Sequence, residues 1–146
     1  MAISSLEAAY ELCSLSNWTL TNLKLQKLLY VCHLYYLGEK DEPLIEEAFE
    51  AWTYGPVVRS LYFQLKVFRD RPIQNVFYEI PSECDKEEIE FITNKYPELA
   101  SKSAWDLVVM THLKGGAWEQ FFDENGKYKK IPNAYIKQEY MDFYQE

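Results

Sequence analysis

A mainly α fold, a compact helical bundle around one central helix, is the architecture this chain predicts. Three observations point to it. Apolar residues recur at helical spacing in one segment after another. Glycine and proline are scarce, 5 and 6 in 146 residues, which disfavours disorder and tight-turn β architectures. Large side chains are plentiful, with 4 Trp, 12 Tyr and 8 Phe available to fill a core. At this length the whole span 1–146 is read as a single domain.

The elements follow in order. Leu6, Ala9, Tyr10 and Cys13 stand at i, i+3, i+4 and i+7, so 5–15 is a helix, with Ser5 as its N-cap. The clearest helix covers 21–37, capped by Thr21 and stopped by Gly38. Leu25, Leu28, Leu29, Cys32 and Tyr36 form its main stripe, while Val31, Leu34 and Tyr35 add apolar surface on other faces. A helix roughly 25 Å long, apolar on most sides, belongs at the centre of the fold. Residues 44–52 read as a short helix after Pro43, and Pro56 suits the first turn of another that runs to about Arg69.

The period breaks over 70–81. Residues 75–80 read there as a short β segment or an extended loop. Asp85 and Glu88 resemble a capping box for a helix that ends before Pro97. Ser103 to Lys114 is a further helix, stopped by Gly115-Gly116. Residues 123–126 form a turn, and a last helix runs from about Asn133 to Tyr144.

Charge and cysteine usage bound the function. The chain carries 15 basic and 23 acidic residues, a net −8. That balance disfavours a nucleic-acid partner, which needs a basic face, and an acidic membrane surface. No apolar run approaches ~20 residues and no signal-peptide pattern opens the chain, so a cytoplasmic protein is expected. Cys13, Cys32 and Cys84 are odd in number and widely spaced, as buried free thiols are. The charge is uneven: Asp41, Glu42, Glu46, Glu47 and Glu50 fall in a stretch with no base, whereas Arg59, Lys66, Arg69 and Arg71 face only Asp70. Such runs are solvated faces or steer a partner.

Catalytic and metal patterns are weak. Cys32 and His33 are adjacent, so on a helix they point about 100° apart and do not form a nucleophile–base pair. C-x-x-C, H-E-x-x-H and EF-hand loops are absent from the sequence, and no cofactor or metal is expected. Lys127, Lys129 and Lys130 beside Tyr128 read as a solvated loop.

Two segments are more specific than core periodicity requires. One is Leu-Thr-Asn-Leu-Lys-Leu-Gln-Lys-Leu-Leu-Tyr, from Leu20 to Tyr30. The other is Glu-Ala-Trp-Thr-Tyr-Gly-Pro-Val-Val, from Glu50 to Val58. Thr111-His112-Leu113, Gly116-Ala117-Trp118 and Ile131-Pro132-Asn133 extend the pattern over nearly the whole chain. Together they resemble the Panacea domain of SocA- and GepA-like, phage-associated antitoxins. The family often carries Pro where this chain has Ala117. The resemblance implies a non-enzymatic helical module that neutralises a cognate protein toxin by direct contact. A second reading is an adaptor that delivers the toxin to a cytoplasmic AAA+ protease. A third, of another class, is a small cysteine-dependent enzyme using Cys32 or Cys84.

The motif residues can be given physical roles. Leu25, Leu28 and Leu29 are core by periodicity. Lys24 and Lys27 share a face, where they can pair with Glu50 or meet a partner's acid. Gln26 is placed to bond a loop backbone. Trp52 is an anchor whose indole N–H needs an acceptor. Tyr54-Gly55-Pro56 is either a shaped surface led by Tyr54 or a connector. The candidate partner contacts are therefore Lys24, Lys27, Tyr54, Gly55, Pro56 and Arg59. Leu25, Gln26, Leu28, Leu29, Tyr30, Trp52, Val57, His112 and Trp118 are read as structural motif residues.

Overall fold

The computed structural model describes residues 2–77 and 86–145. Among them are seven α-helices and one small sheet: α1 Ser5–Leu15, α2 Asn22–Lys40, β1 Phe49–Trp52, β2 Gly55–Val57, α3 Arg59–Leu65 with a 3-10 turn over Lys66–Phe68, α4 Glu87–Leu99, α5 Ala104–Thr111, α6 Ala117–Phe121, β3 Lys130–Ile131 and α7 Asn133–Phe143. The fold is mainly α, and α2 is its axis. Every residue from Leu25 to Leu34 is buried, as befits a helix covered on all sides. α1, α4, α5, α7 and the hairpin pack around it. No helix among the described residues is long and apolar enough to cross a membrane.

Helix ends follow their chemistry, with corrections to the sequence reading. Thr21 Oγ1 accepts the Lys24 N–H and caps α2 as expected. Ser103 and Asp106 form a full capping box on α5. The cap of α1 is Ser4, not Ser5, because the Ser5 N–H and hydroxyl both donate to the Glu47 carboxylate. α2 does not stop at Gly38. A Cβ there would lie 2.0 Å from the Tyr140 ring, so this glycine admits α7, and Asp41 ends the helix in left-handed geometry at φ 57°. α4 continues through Pro97 to Leu99, since Ile92 and Leu99 hold the same buried face. Lys86 stands at the N-cap of α4, while the expected cap Asp85 lies outside the described residues. α5 ends earlier than expected, at Thr111 with His112 as its C-cap, so Gly115-Gly116 does not stop it; Gly116 instead stands at the N-cap of α6, a short helix not expected from the sequence.

The largest correction concerns 44–58. The expected helix over 44–52 is an irregular stretch followed by β1, and Pro56 sits in β2 instead of opening a helix. The sheet order is β2-β1-β3, both pairings antiparallel, with Ala51 opposite Pro56 and Phe49 opposite Ile131. Pro56 is tolerated because β2 is an edge strand, which can lack one N–H. Leu44 and Ile45 instead pair with Ile3, whose N–H donates to Leu44 O at 2.9 Å. The short β segment expected near 75–80 is not found at 75–77, and 78–80 lie outside the described residues.

Candidate functional site

The two specific segments meet. α2 presents Asn22 and Gln26 one turn apart, and their amides form a relay. Gln26 Nε2 donates to Asn22 Oδ1 at 3.2 Å, and Asn22 Nδ2 donates to Tyr62 O at 3.3 Å. Gln26 Oε1 accepts the Val58 N–H at 2.9 Å. Lys27 Nζ donates to Pro56 O at 2.8 Å. The central helix thus grips β2 and the start of α3 by side-chain bonds to main chain. All of these side chains are buried, so each polar atom depends on its partner. Gln26→Leu is accordingly expected to destabilise the chain by about 2 kcal/mol, because Val58 N–H and Asn22 Oδ1 lose their partners. Urea unfolding measures it, and a loss near zero would mean that the relay carries no stability.

The turn between β1 and β2 is shaped by Gly55, at φ +114°. A Cβ there would lie 2.9 Å from Lys27 Cε and from Thr111 Oγ1. Behind the turn, His112 Nδ1 donates to Val108 O at 2.6 Å and its ring rests on Trp118 at 3.8 Å. Trp118 Nε1 donates to Trp52 O at 2.6 Å. Trp52 in turn donates its indole N–H to Glu50 Oε1 at 3.0 Å and stacks on Tyr128. The acceptor that the Trp52 indole N–H requires is therefore Glu50. Glu50 also faces Arg59 at 3.7 Å, while Lys27, expected to pair with Glu50, donates to Pro56 O instead.

Between the first turns of α2, the hairpin turn, the 3-10 turn and Tyr128 lies an open cleft of about 780 Å³. Gln26 and Lys27 lie at its base, Trp52 and Tyr62 form a wall, and Tyr54, 64% exposed, stands at its rim. Lys27 departs from its expected position. It is fully buried, not on the surface, and burial lowers its pKa from 10.5 to about 7. Gly55 and Pro56 are buried as well, Lys24 is half-buried, and Arg59 is exposed. Only Tyr54 and Arg59 of the six candidate contacts therefore present substantial surface. Tyr62, Lys66, Arg69 and Tyr128 complete the cleft and were not singled out as a site. The concentration of bases after Pro56 was their visible trace.

A second tie joins α2 to α7. Glu139 Oε1 accepts from Tyr30 OH and from Ala117 N–H, both at 2.9 Å. A proline at 117 could not make the second bond. Glu139 Oε2 is buried with no partner among the described residues, and burial raises the pKa of this carboxyl. His33 Nδ1 accepts the Ile45 N–H at 3.2 Å, so Nε2 carries the proton and donates to Asn133 Oδ1 at 2.9 Å. Burial lowers the His33 pKa to about 4, which keeps it neutral. Cys13 and Cys32 are buried, and desolvation pushes both thiols up to about 12. That is the reverse of what a nucleophilic thiolate requires. Cys84 lies outside the described residues.

In this helical fold the Leu-Gln-Lys-Leu-Leu helix clasps the Ala-Trp-x-x-Gly-Pro-Val hairpin, which brings together the two segments that carry the Panacea-domain resemblance. Residues 25–119 match the family described as Antitoxin SocA-like, Panacea domain, and the chain belongs to that family. It is similar to Antitoxin SocA of Caulobacter vibrioides (strain NA1000 / CB15N), at 33% identity over 110 residues. That similarity covers 68% of this chain and 58% of the relative's length. No solved structure matches the chain.

Proposed function

We propose that the chain is an antitoxin that neutralises a cognate toxin as a stoichiometric protein complex, without bond chemistry of its own. The observation that carries this reading is the clasp. Its buried polar groups are spent on internal bonds, so they shape the Thr53–Tyr54 turn and do not form a catalytic set. What remains at the surface is a large aromatic, Tyr54, beside a cleft, and a projecting aromatic of this kind is a typical hot spot of protein interfaces. Family membership supports the same reading. The Cys32 thiol, buried and held protonated, gives no support to a cysteine-dependent enzyme.

The experiment is co-expression with the product of the neighbouring reading frame, followed by co-purification and a growth-rescue assay. The expected outcome is rescue together with a stable complex. Tyr54→Ala combined with Arg59→Glu should weaken the complex by about 2 kcal/mol and leave the helical circular dichroism unchanged. Full affinity in that variant would remove the turn from the interface. Rescue that requires a cytoplasmic AAA+ protease would assign the adaptor role, and rescue lost in Cys32→Ser would favour the enzyme.

A further inference from the structure

The cleft beside the Thr53–Tyr54 turn carries a charge opposite to that of the molecule. The chain as a whole has 15 basic and 23 acidic residues. The exposed charged residues lining the cleft are Lys66 and Arg69 against Asp70 alone, with Lys27 buried at its base. Lys66 and Arg69 form no ion pair among the described residues. By contrast Lys40, Lys86, Lys95 and Lys137 each stand within 3.8 Å of a carboxylate. Lys66 Nζ is held over the Phe63 ring at 4.8 Å, with its charge turned to solvent-facing surface and not to an internal acid. Apolar surface opens at the same mouth, where Leu23 and Tyr54 line the cleft and are both exposed.

We infer that this cleft receives an acidic segment of the partner protein, an Asp or Glu beside an aromatic or aliphatic side chain. The carboxylate is set against Lys66 and Arg69, and its apolar neighbour against Leu23 and Tyr54. This assignment deepens the antitoxin reading and rests on it. Charge complementarity selects the occupant: a basic, aromatic recess on an acidic protein attracts a localised anion while the rest of the surface repels anionic bulk. The same contrast disfavours single-stranded RNA, whose phosphates would meet the net −8 charge. The aromatic wall agrees. Trp52 and Tyr128 are stacked on each other at 4.5 Å and 17°, so these rings offer fewer free faces to bases.

The test uses the full chain, the purified toxin, overlapping short peptides that tile the toxin sequence, and a poly-uridine oligonucleotide. Wild type should bind the toxin, and the tightest peptides should pair Asp or Glu with an aromatic or aliphatic neighbour. Lys66→Glu with Arg69→Glu should weaken both by roughly tenfold or more, and Lys66→Gln with Arg69→Gln by less, at unchanged circular dichroism. If the reversed pair unfolds, the Gln pair carries the test, and full affinity in it overturns the inference. Unchanged toxin binding by the reversed pair overturns the cleft assignment and leaves the antitoxin reading standing. Poly-uridine binding that the reversal abolishes makes the cleft a nucleic-acid site and overturns the inference too. Absence of toxin binding by wild type removes both readings together.

Discussion

Gly55→Ala is expected to destabilise the chain by about 3 kcal/mol and to lower its urea midpoint by roughly 1.5 M. Two effects combine at this position. The backbone stands at φ +114°, a conformation an L-residue adopts only with strain. The added methyl would also enter space already held by Lys27 Cε and Thr111 Oγ1, each 2.9 Å away, and by His112 Cε1 at 3.2 Å. None of the three can retreat freely. Lys27 is bonded to Pro56 O, Thr111 Oγ1 donates to Val108 O, and His112 is pinned between Val108 O and Trp118. Gly126→Ala is the matched control. It too has a positive φ, +84°, but nothing lies within 4 Å of its Cβ position, so only backbone strain of about 1 kcal/mol is expected. Equal losses at the two sites would show that packing under the hairpin contributes nothing.

The second large effect depends on pH and comes from Lys27. Its pKa is about 7 when folded, against an ordinary 10.5, through desolvation alone. Below pH 7 both states bind the proton and the cost of the buried charge is fully present. Between pH 7 and 10.5 the unfolded chain holds more protons, so this residue makes stability rise with pH. Relative to Lys27→Met, wild type should therefore gain about 2 kcal/mol between pH 7 and pH 9. The comparison must be made against the variant, because Cys13 and Cys32, both raised to about 12, pull in the opposite direction as pH increases. The variant leaves Pro56 O without its donor, but that loss is independent of pH. Parallel stability curves for the two proteins would overturn the assignment of Lys27 as the titrating group.

Much of the helical frame was legible locally. Thr21 and Ser103 announce their helices by capping chemistry, and the apolar stripes of α1, α2 and α7 follow the 3.6-residue period. The 44–58 region was not. Leu44, Ile45, Ala48 and Phe49 fit helical spacing, yet β1 pairs with β2 across the 53–54 turn and with β3 some eighty residues downstream, and the second pairing has no local trace. The bond that Gln26 makes to a backbone was expected from the sequence, whereas the clasp between the two motif segments was not. The burial of Lys27 was not, because a lone lysine in a helix reads as solvent-exposed. Its trace was positional: Val31 and Leu34 continue its stripe at i+4 and i+7, both apolar. The cleft draws on four separated segments, so only its excess of bases could be seen beforehand.

The bonds from α2 to α7 also set an order in time. Tyr30 and His33 find their acceptors in Glu139 and Asn133, 109 and 100 residues further along the chain. A nascent polypeptide still on the ribosome has these two polar groups made long before their acceptors emerge, and pairings across such separations are slow to form. The packing around the central helix is thus completed only after residues 133–139 have been made. A product cut short before Asn133 would leave open the apolar face of α2 on which α7 packs, with the Tyr140 ring against Gly38, and it is expected to be cleared by proteolysis sooner than to act as a weakened antitoxin.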